Sequence, residues 1–185
     1  IGKLAQRNVD TGAGLERMTA VMQGKKTAYE TDIFEEFLDL HFLRSKNIQT
    51  KDKRIIVDHM RTIIFMLNDG VMFSNTGRGY VLRRLLRRVL VLAHKNNINT
   101  SEFGYTGNPS FLMCVFNKYK DAYDLNSNNF IILGKFIDEE VSKFLKTLES
   151  GLKEFEKGID PFILATTYGF PIELTLELAK EKGIE

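Results

Sequence analysis

Between Arg78 and Lys95 stand six basic residues, Arg78, Arg83, Arg84, Arg87, Arg88 and Lys95, with no Asp or Glu among them. Arginine suits phosphate because its planar fork makes paired, charge-assisted hydrogen bonds. At the angular step of a helix, Arg83, Arg84, Arg87 and Arg88 fall within an arc of about 140°. Leu82, Leu85, Leu86, Val89 and Leu90 centre on the other side. Such a helix can lock its apolar face into a core while four guanidiniums project together toward a polyanion, and an RNA stem offers paired rows of phosphates. Three other readings fit the same strip: a solvated face paired with the chain's own acids, a docking surface for an acidic partner on a helical protein-interaction module, and a helix for a membrane surface or a calmodulin-type groove. Tyr80, at the start of the strip, could stack on a base or pack at the helix end.

A second pattern with chemical reach is Asp10-Thr11-Gly12-Ala13-Gly14-Leu15-Glu16-Arg17. Two glycines ahead of a helix let backbone N–H groups approach an anion. The Lys-Ser/Thr of a P-loop and the third glycine of a dinucleotide fingerprint are both missing, so the bare pattern reads first as a tight turn into a helix. The remaining candidates are weaker. His41, His59 and His94 are scattered without a metal-binding spacing. Cys114 sits between Met113 and Val115 and reads as an inert core thiol, while Asp58-His59 and Glu35-Glu36 read as helix-surface pairs.

The elements that must position these residues are helical. Alternating strand patterns are scarce. Periodicity predicts helices over 14–23, from Thr31 or Asp32 as cap through Leu40, over 52–68, over 79–95, and over 111–119. A long amphipathic helix follows from about Phe130 to Lys157, with Asn126–Asn129 as a break and cap. Its stripe is Ile137, Val141, Phe144, Leu148, Leu152 and Phe155, and Gly151 is expected to interrupt or bend it. Pro161–Thr167 and Pro171–Lys182 predict two short closing helices. Residues 96–109 read as a loop.

Composition limits what these elements can be. The 185 residues are 43% hydrophobic and 27% charged, enough for one large or two small packed domains and against wholesale disorder. A single cysteine excludes an intrachain disulfide framework and fits a reducing compartment. No apolar run is long enough to span a bilayer. Net charge is +2, with six of the 26 Lys/Arg in the strip and none of the 24 Asp/Glu, so the rest of the chain is net acidic. The opening Ile1-Gly2-Lys3-Leu4 has no initiator Met and no signal-peptide pattern, and the chain is expected to be a piece of something longer.

Taken together, these segments resemble the alanyl-tRNA synthetases, class II aminoacyl-tRNA synthetases, over nearly the whole chain. DTGAGLERM (Asp10–Met18) looks like motif 3 of that class, and YETDIF (Tyr29–Phe34) like the segment after it. Asp58-His59-Met60-Arg61, Asp69-Gly70-Val71, SNTGRGYVLRRLLRR (Ser74–Arg88) and TTYGFPIELT (Thr166–Thr175) look like the tRNA-recognition region. The resemblance implies a mainly α-helical bundle, with residues 1–28 ending the aminoacylation domain and 29–185 forming the tRNA-recognition domain. It implies that Arg17 contacts ATP phosphate and that Gly12 and Gly14 line the adenylate pocket. It implies that Asn75 reads a G·U wobble pair in the tRNA-Ala acceptor stem. Arg78, Arg83, Arg84, Arg87 and Arg88 would hold the RNA backbone.

One departure is specific: Thr166 stands where the family has an aspartate that accepts from the guanine. For the full-length protein the resemblance implies ATP with Mg, alanine and tRNA-Ala, no membrane, and a cytoplasmic location, with an organellar form as the alternative. Motifs 1 and 2, the alanine pocket and the zinc-bearing editing domain have no counterpart in these 185 residues. The chain alone is therefore expected not to activate alanine.

Overall fold

The computed structural model describes residues 6, 11–45, 47–107, 110–123, 125, 127–168, 170–181 and 183. The expectations placed on Ile1–Leu4, Asp10, Asn126 and Lys182 lie outside them. Eight α-helices occur among the described residues, with no strand: α1 Leu15–Met22, α2 Asp32–Leu38, α3 Thr50–Asn68, α4 Gly77–Lys95, α5 Phe111–Tyr119, α6 Ser127–Glu156, α7 Pro161–Thr167 and α8 Ile172–Glu181. Short 3-10 turns at Ala28–Glu30, His41–Leu43 and Thr100–Glu102 join them.

The centre of the fold is the α3–α4 hairpin. Ile56, Met60 and Ile63 on α3 face Leu82, Leu86, Val89 and Leu90 on α4, all fully buried. Each such side chain contributes about 1.5–3 kcal/mol of burial. The helices run antiparallel: Asp52 in the first turn of α3 lies 3.4 Å from Lys95 Nζ, and Asn96 Nδ2 donates to it at 3.1 Å. Gly70 and Gly77, at φ +81° and +56°, allow the connecting chain to turn at both ends. Helix α6 crosses this hairpin with Ile137, Val141, Phe144 and Leu148 inward, and α2 and α5 close it through Phe37 and Phe111, whose rings lie 5.3 Å apart.

Helix starts follow local chemistry in two places. Asp160 accepts from Phe162 N at 2.7 Å with Pro161 in the first turn, and Ser110 Oγ accepts from Met113 N at 3.2 Å. Thr31 does occupy the N-cap position of α2. Its buried hydroxyl, however, donates backward to Ala28 O at 2.6 Å and caps nothing, because the preceding 3-10 turn offers a nearer acceptor.

Gly151 corrects the expected break. α6 is continuous through it. A Cβ at this position would lie 2.3 Å from Cδ2 of Phe170, which is fully buried. The missing side chain is the socket for that ring, and it holds the α7–α8 connection against α6.

Candidate nucleic-acid interface

Asn75 sits in the exposed segment that leads into α4. The segment folds tightly over the helix because Gly79 has no side chain. A Cβ there would meet Met72 O at 2.2 Å and Ser74 Oγ at 2.4 Å. Ser74 Oγ also donates to Thr76 O at 2.8 Å, which fixes the turn. Arg78 is exposed, and Tyr80, Val81 and Met72 give the same edge an apolar component at 38%, 42% and 48% exposure.

The four clustered arginines do not project together. Arg83 Nε reaches Glu140 Oε1 on α6 at 2.5 Å and its Nη1 donates to Asn75 Oδ1. One turn on, the Arg87 guanidinium lies 5.1 Å from the centroid of the Phe144 ring, one turn on from Glu140. Arg88 Nη1 approaches His59 Nε2 on α3 at 3.3 Å. Of the four, Arg84 is exposed and the others are half-buried. The helical arc expected from sequence holds, but two neighbouring helices overlap it: α6 covers the Arg83/Arg87 edge and α3 the Arg88 edge. The apolar burial of α4 outweighs the cost of drawing these cations inward because each finds a carboxylate, ring or imidazole.

Arginine only donates, so the His59 nitrogen facing Arg88 is an acceptor and the proton sits on Nδ1. That proton points to Asp58 Oδ2 at 3.2 Å, and this hydrogen bond holds the Asp58 carboxyl below the ordinary range.

At the other end of the chain, residues 11–14 are not part of a tight turn. Gly14 is extended at φ −69°, ψ 125°, directly ahead of α1. A Cβ at Gly12 would meet nothing within 4 Å, and at Gly14 only the aliphatic part of Arg17 at 3.9 Å. Arg17 is exposed, and no bond joins it to another described residue. The glycines therefore leave open backbone beside a solvent-facing guanidinium.

Glu16 turns inward. Arg61 Nη2 donates to its Oε1 at 2.5 Å while Nη1 approaches Tyr119 OH at 3.3 Å and the guanidinium lies 4.4 Å from the Phe34 ring centroid. Glu16's own backbone N–H and then Arg61 hold its carboxyl below the ordinary glutamate range. This joint ties the glycine-led helix to α2, α3 and α5. Leu15, Val21 and Met22 on α1 remain 61%, 73% and 81% exposed.

Thr166 is exposed on α7 and its hydroxyl donates to Phe162 O at 2.8 Å. No hydrogen bond links it to Asn75. Among the described residues no cluster of three His, Cys, Asp or Glu could hold a metal ion, and no helix is long and apolar enough to cross a membrane. Cys114 is half-buried, and burial pushes its thiol up. Sequence reasoning missed Glu140 and Glu16. The only available signal for Glu140 was its place four residues before Phe144 on the inward stripe of α6, where an acid is out of pattern.

A family profile described as tRNA synthetases class II (A) matches residues 1–185. The alanine–tRNA ligase of Thermotoga petrophila is 40% identical over 198 aligned residues, covering 98% of this chain and 22% of that protein. The alanine–tRNA ligase of Mycobacterium marinum is 37% identical over 100% of this chain and 22% of its own length. That of Francisella tularensis subsp. novicida is 35% identical over 98% and 22%. The chain thus spans about a fifth of the length of these relatives. The helical body that carries Asn75 and the α4 edge is matched from its first residue to its last, and the chain belongs to the class II tRNA synthetases (A).

Proposed function

We propose that this chain is the part of an alanine–tRNA ligase that grips the acceptor stem of tRNA-Ala, with residues 1–28 closing the aminoacylation domain and 29–185 forming the tRNA-recognition domain. The observation that carries this is Asn75, held at the exposed start of α4 by Arg83, beside Arg78 and Arg84. The wide, shallow minor groove of an RNA stem displays base edges that a short polar side chain reaches, while the cations engage phosphates. Arg78 and Arg84 are the phosphate contacts this geometry favours. Arg83, Arg87 and Arg88 serve chiefly to hold the edge in shape.

Thr166 keeps the polarity that the family's aspartate supplies. Its single proton is committed to Phe162 O, so the lone pairs left to solvent only accept. A guanine exocyclic amine, left unpaired on the groove edge of a G·U pair, is the matching donor. The neutral hydroxyl accepts more weakly than a carboxylate.

In the full-length protein the ligase reaction joins alanine to tRNA-Ala at the expense of ATP. The open backbone at Gly12 and Gly14 and the exposed Arg17 fit one side of an ATP phosphate group. Arg17 would balance charge that develops there during adenylate formation.

The test is binding of the chain, at fixed moderate salt, to a hairpin carrying the tRNA-Ala acceptor stem, to its G·C variant and to an unrelated stem. Tighter binding to the G·U stem is expected. Equal binding to all three, or displacement of the stem by an acidic polypeptide at equal charge concentration, would overturn the reading.

A further inference from the structure

Arg83 makes two sets of contacts with opposite edges of its fork. Nε and Nη2 reach Glu140 Oε1 and Oε2 at 2.5 and 3.2 Å, and Nη1 donates to Asn75 Oδ1. Glu140 is 5% exposed and on α6, whereas Asn75 is at the surface. The bidentate pair fixes the plane of the guanidinium, and so the direction of Nη1. A guanidinium has donors only. The Asn75 atom turned toward it must therefore be the carbonyl oxygen, and the Nδ2 amine faces away. An unrestrained surface asparagine can turn its amide either way and offer an acceptor as readily as a donor.

We infer that Arg83, clamped by the buried Glu140 carboxylate, is a positioning residue that fixes the amide of Asn75 so that it presents only a donor to the nucleic acid. Asn75 then selects a base-edge or ribose acceptor, such as a pyrimidine O2, a purine N3 or a 2′-hydroxyl, and rejects an exocyclic amine placed against it. The two polar side chains thereby divide the work: Asn75 donates and Thr166 accepts. The inference rests on the proposed stem-reading role of Asn75.

The experiment is a mutant cycle read as the ratio of dissociation constants for the G·C and G·U hairpins, using Asn75→Ala, Glu140→Gln and the double variant. Glu140→Gln keeps the side-chain shape and removes the charge that clamps the fork. It is expected to lower the ratio by about 2- to 10-fold. The same change in the Asn75→Ala background is expected to leave the ratio unmoved, because its effect runs through the amide. A purely structural role would weaken binding to both hairpins alike, with or without Asn75. Arg83→Lys, which keeps the charge and loses the fork, gives the same readout should Glu140→Gln fail to fold. If wild type discriminates and Asn75→Ala does not, yet Glu140→Gln and Arg83→Lys keep the wild-type ratio, the positioning role is overturned and the stem reading stands. If Asn75→Ala discriminates as well as wild type, both are overturned.

Discussion

Replacing Gly151 by Ala sets two effects of known size against each other. Alanine in a helix interior is favoured over glycine by about 0.5–1 kcal/mol. Against this, the new Cβ would lie 2.3 Å from Cδ2 and 2.8 Å from Cγ of Phe170, about an ångström or more inside ordinary carbon contact. Phe170 is fully buried, so its ring cannot swing into solvent. Overpacking of a rigid core costs about 1–3 kcal/mol, and a clash with two ring atoms belongs in the upper half of that range. The net expectation is a loss of about 1–2 kcal/mol, a fall in Tm of about 2–8 °C for a domain of this size. In a Phe170→Ala background the ring is gone and only its Cβ remains, 3.0 Å from the new Cβ, so most of the loss should disappear and the net effect should fall within about 0.5 kcal/mol of zero. Urea unfolding of the four proteins reads both numbers. A stabilising Gly151→Ala in the wild-type background would refute the socket and restore the glycine as a simple helix interruption.

Gly79→Ala should displace the 71–76 segment, since its Cβ meets backbone at Met72 O, and should abolish discrimination between G·U and G·C hairpins while the chain stays folded by circular dichroism. Arg84→Ala should lower the slope of log affinity against log salt by about 0.7–0.9, the release expected for one phosphate contact. Arg87→Ala should instead lower the unfolding midpoint, through loss of its contact with the Phe144 ring, and leave that slope nearly unchanged. The Glu16–Arg61 joint should weaken in acid. The Glu16 carboxyl is held low in the folded state, so its contribution is complete above the ordinary glutamate range and is lost as pH falls through the lowered folded value. Hydrogen exchange of α1 amides should therefore accelerate relative to α3 on acidification. Glu16→Gln should remove that dependence and exchange faster at neutral pH.

The long helices were legible because their apolar residues recur at three and four positions over many turns, as in Ile56, Met60, Ile63 and Leu67 of α3. The 3-10 turns at 28–30, 41–43 and 100–102 were not, since three residues carry no period. Among the site residues, the sequence placed Asn75 before the basic helix and put the four arginines on one arc. It did not show their directions. Whether a guanidinium faces water or a neighbour depends on α6 and α3 closing beside it. Glu140 lies 57 residues from Arg83, so no local pattern joins them. Gly151 was read as a break for the same reason: its ring partner is far along the chain. Thr166 is a further case: the sequence showed the departure from aspartate, and only the fold shows that its hydroxyl donates to Phe162 O.

The most direct measurement is hydrogen exchange of the chain with and without the G·U acceptor-stem hairpin. Engagement through the Asn75 edge predicts protection concentrated at residues 72–84 and on α7 around Thr166, with α1 and the far end of α6 unchanged. Protection confined to α1, or none at residues 72–84 under saturating hairpin, would contradict the assignment of that edge as the acceptor-stem site.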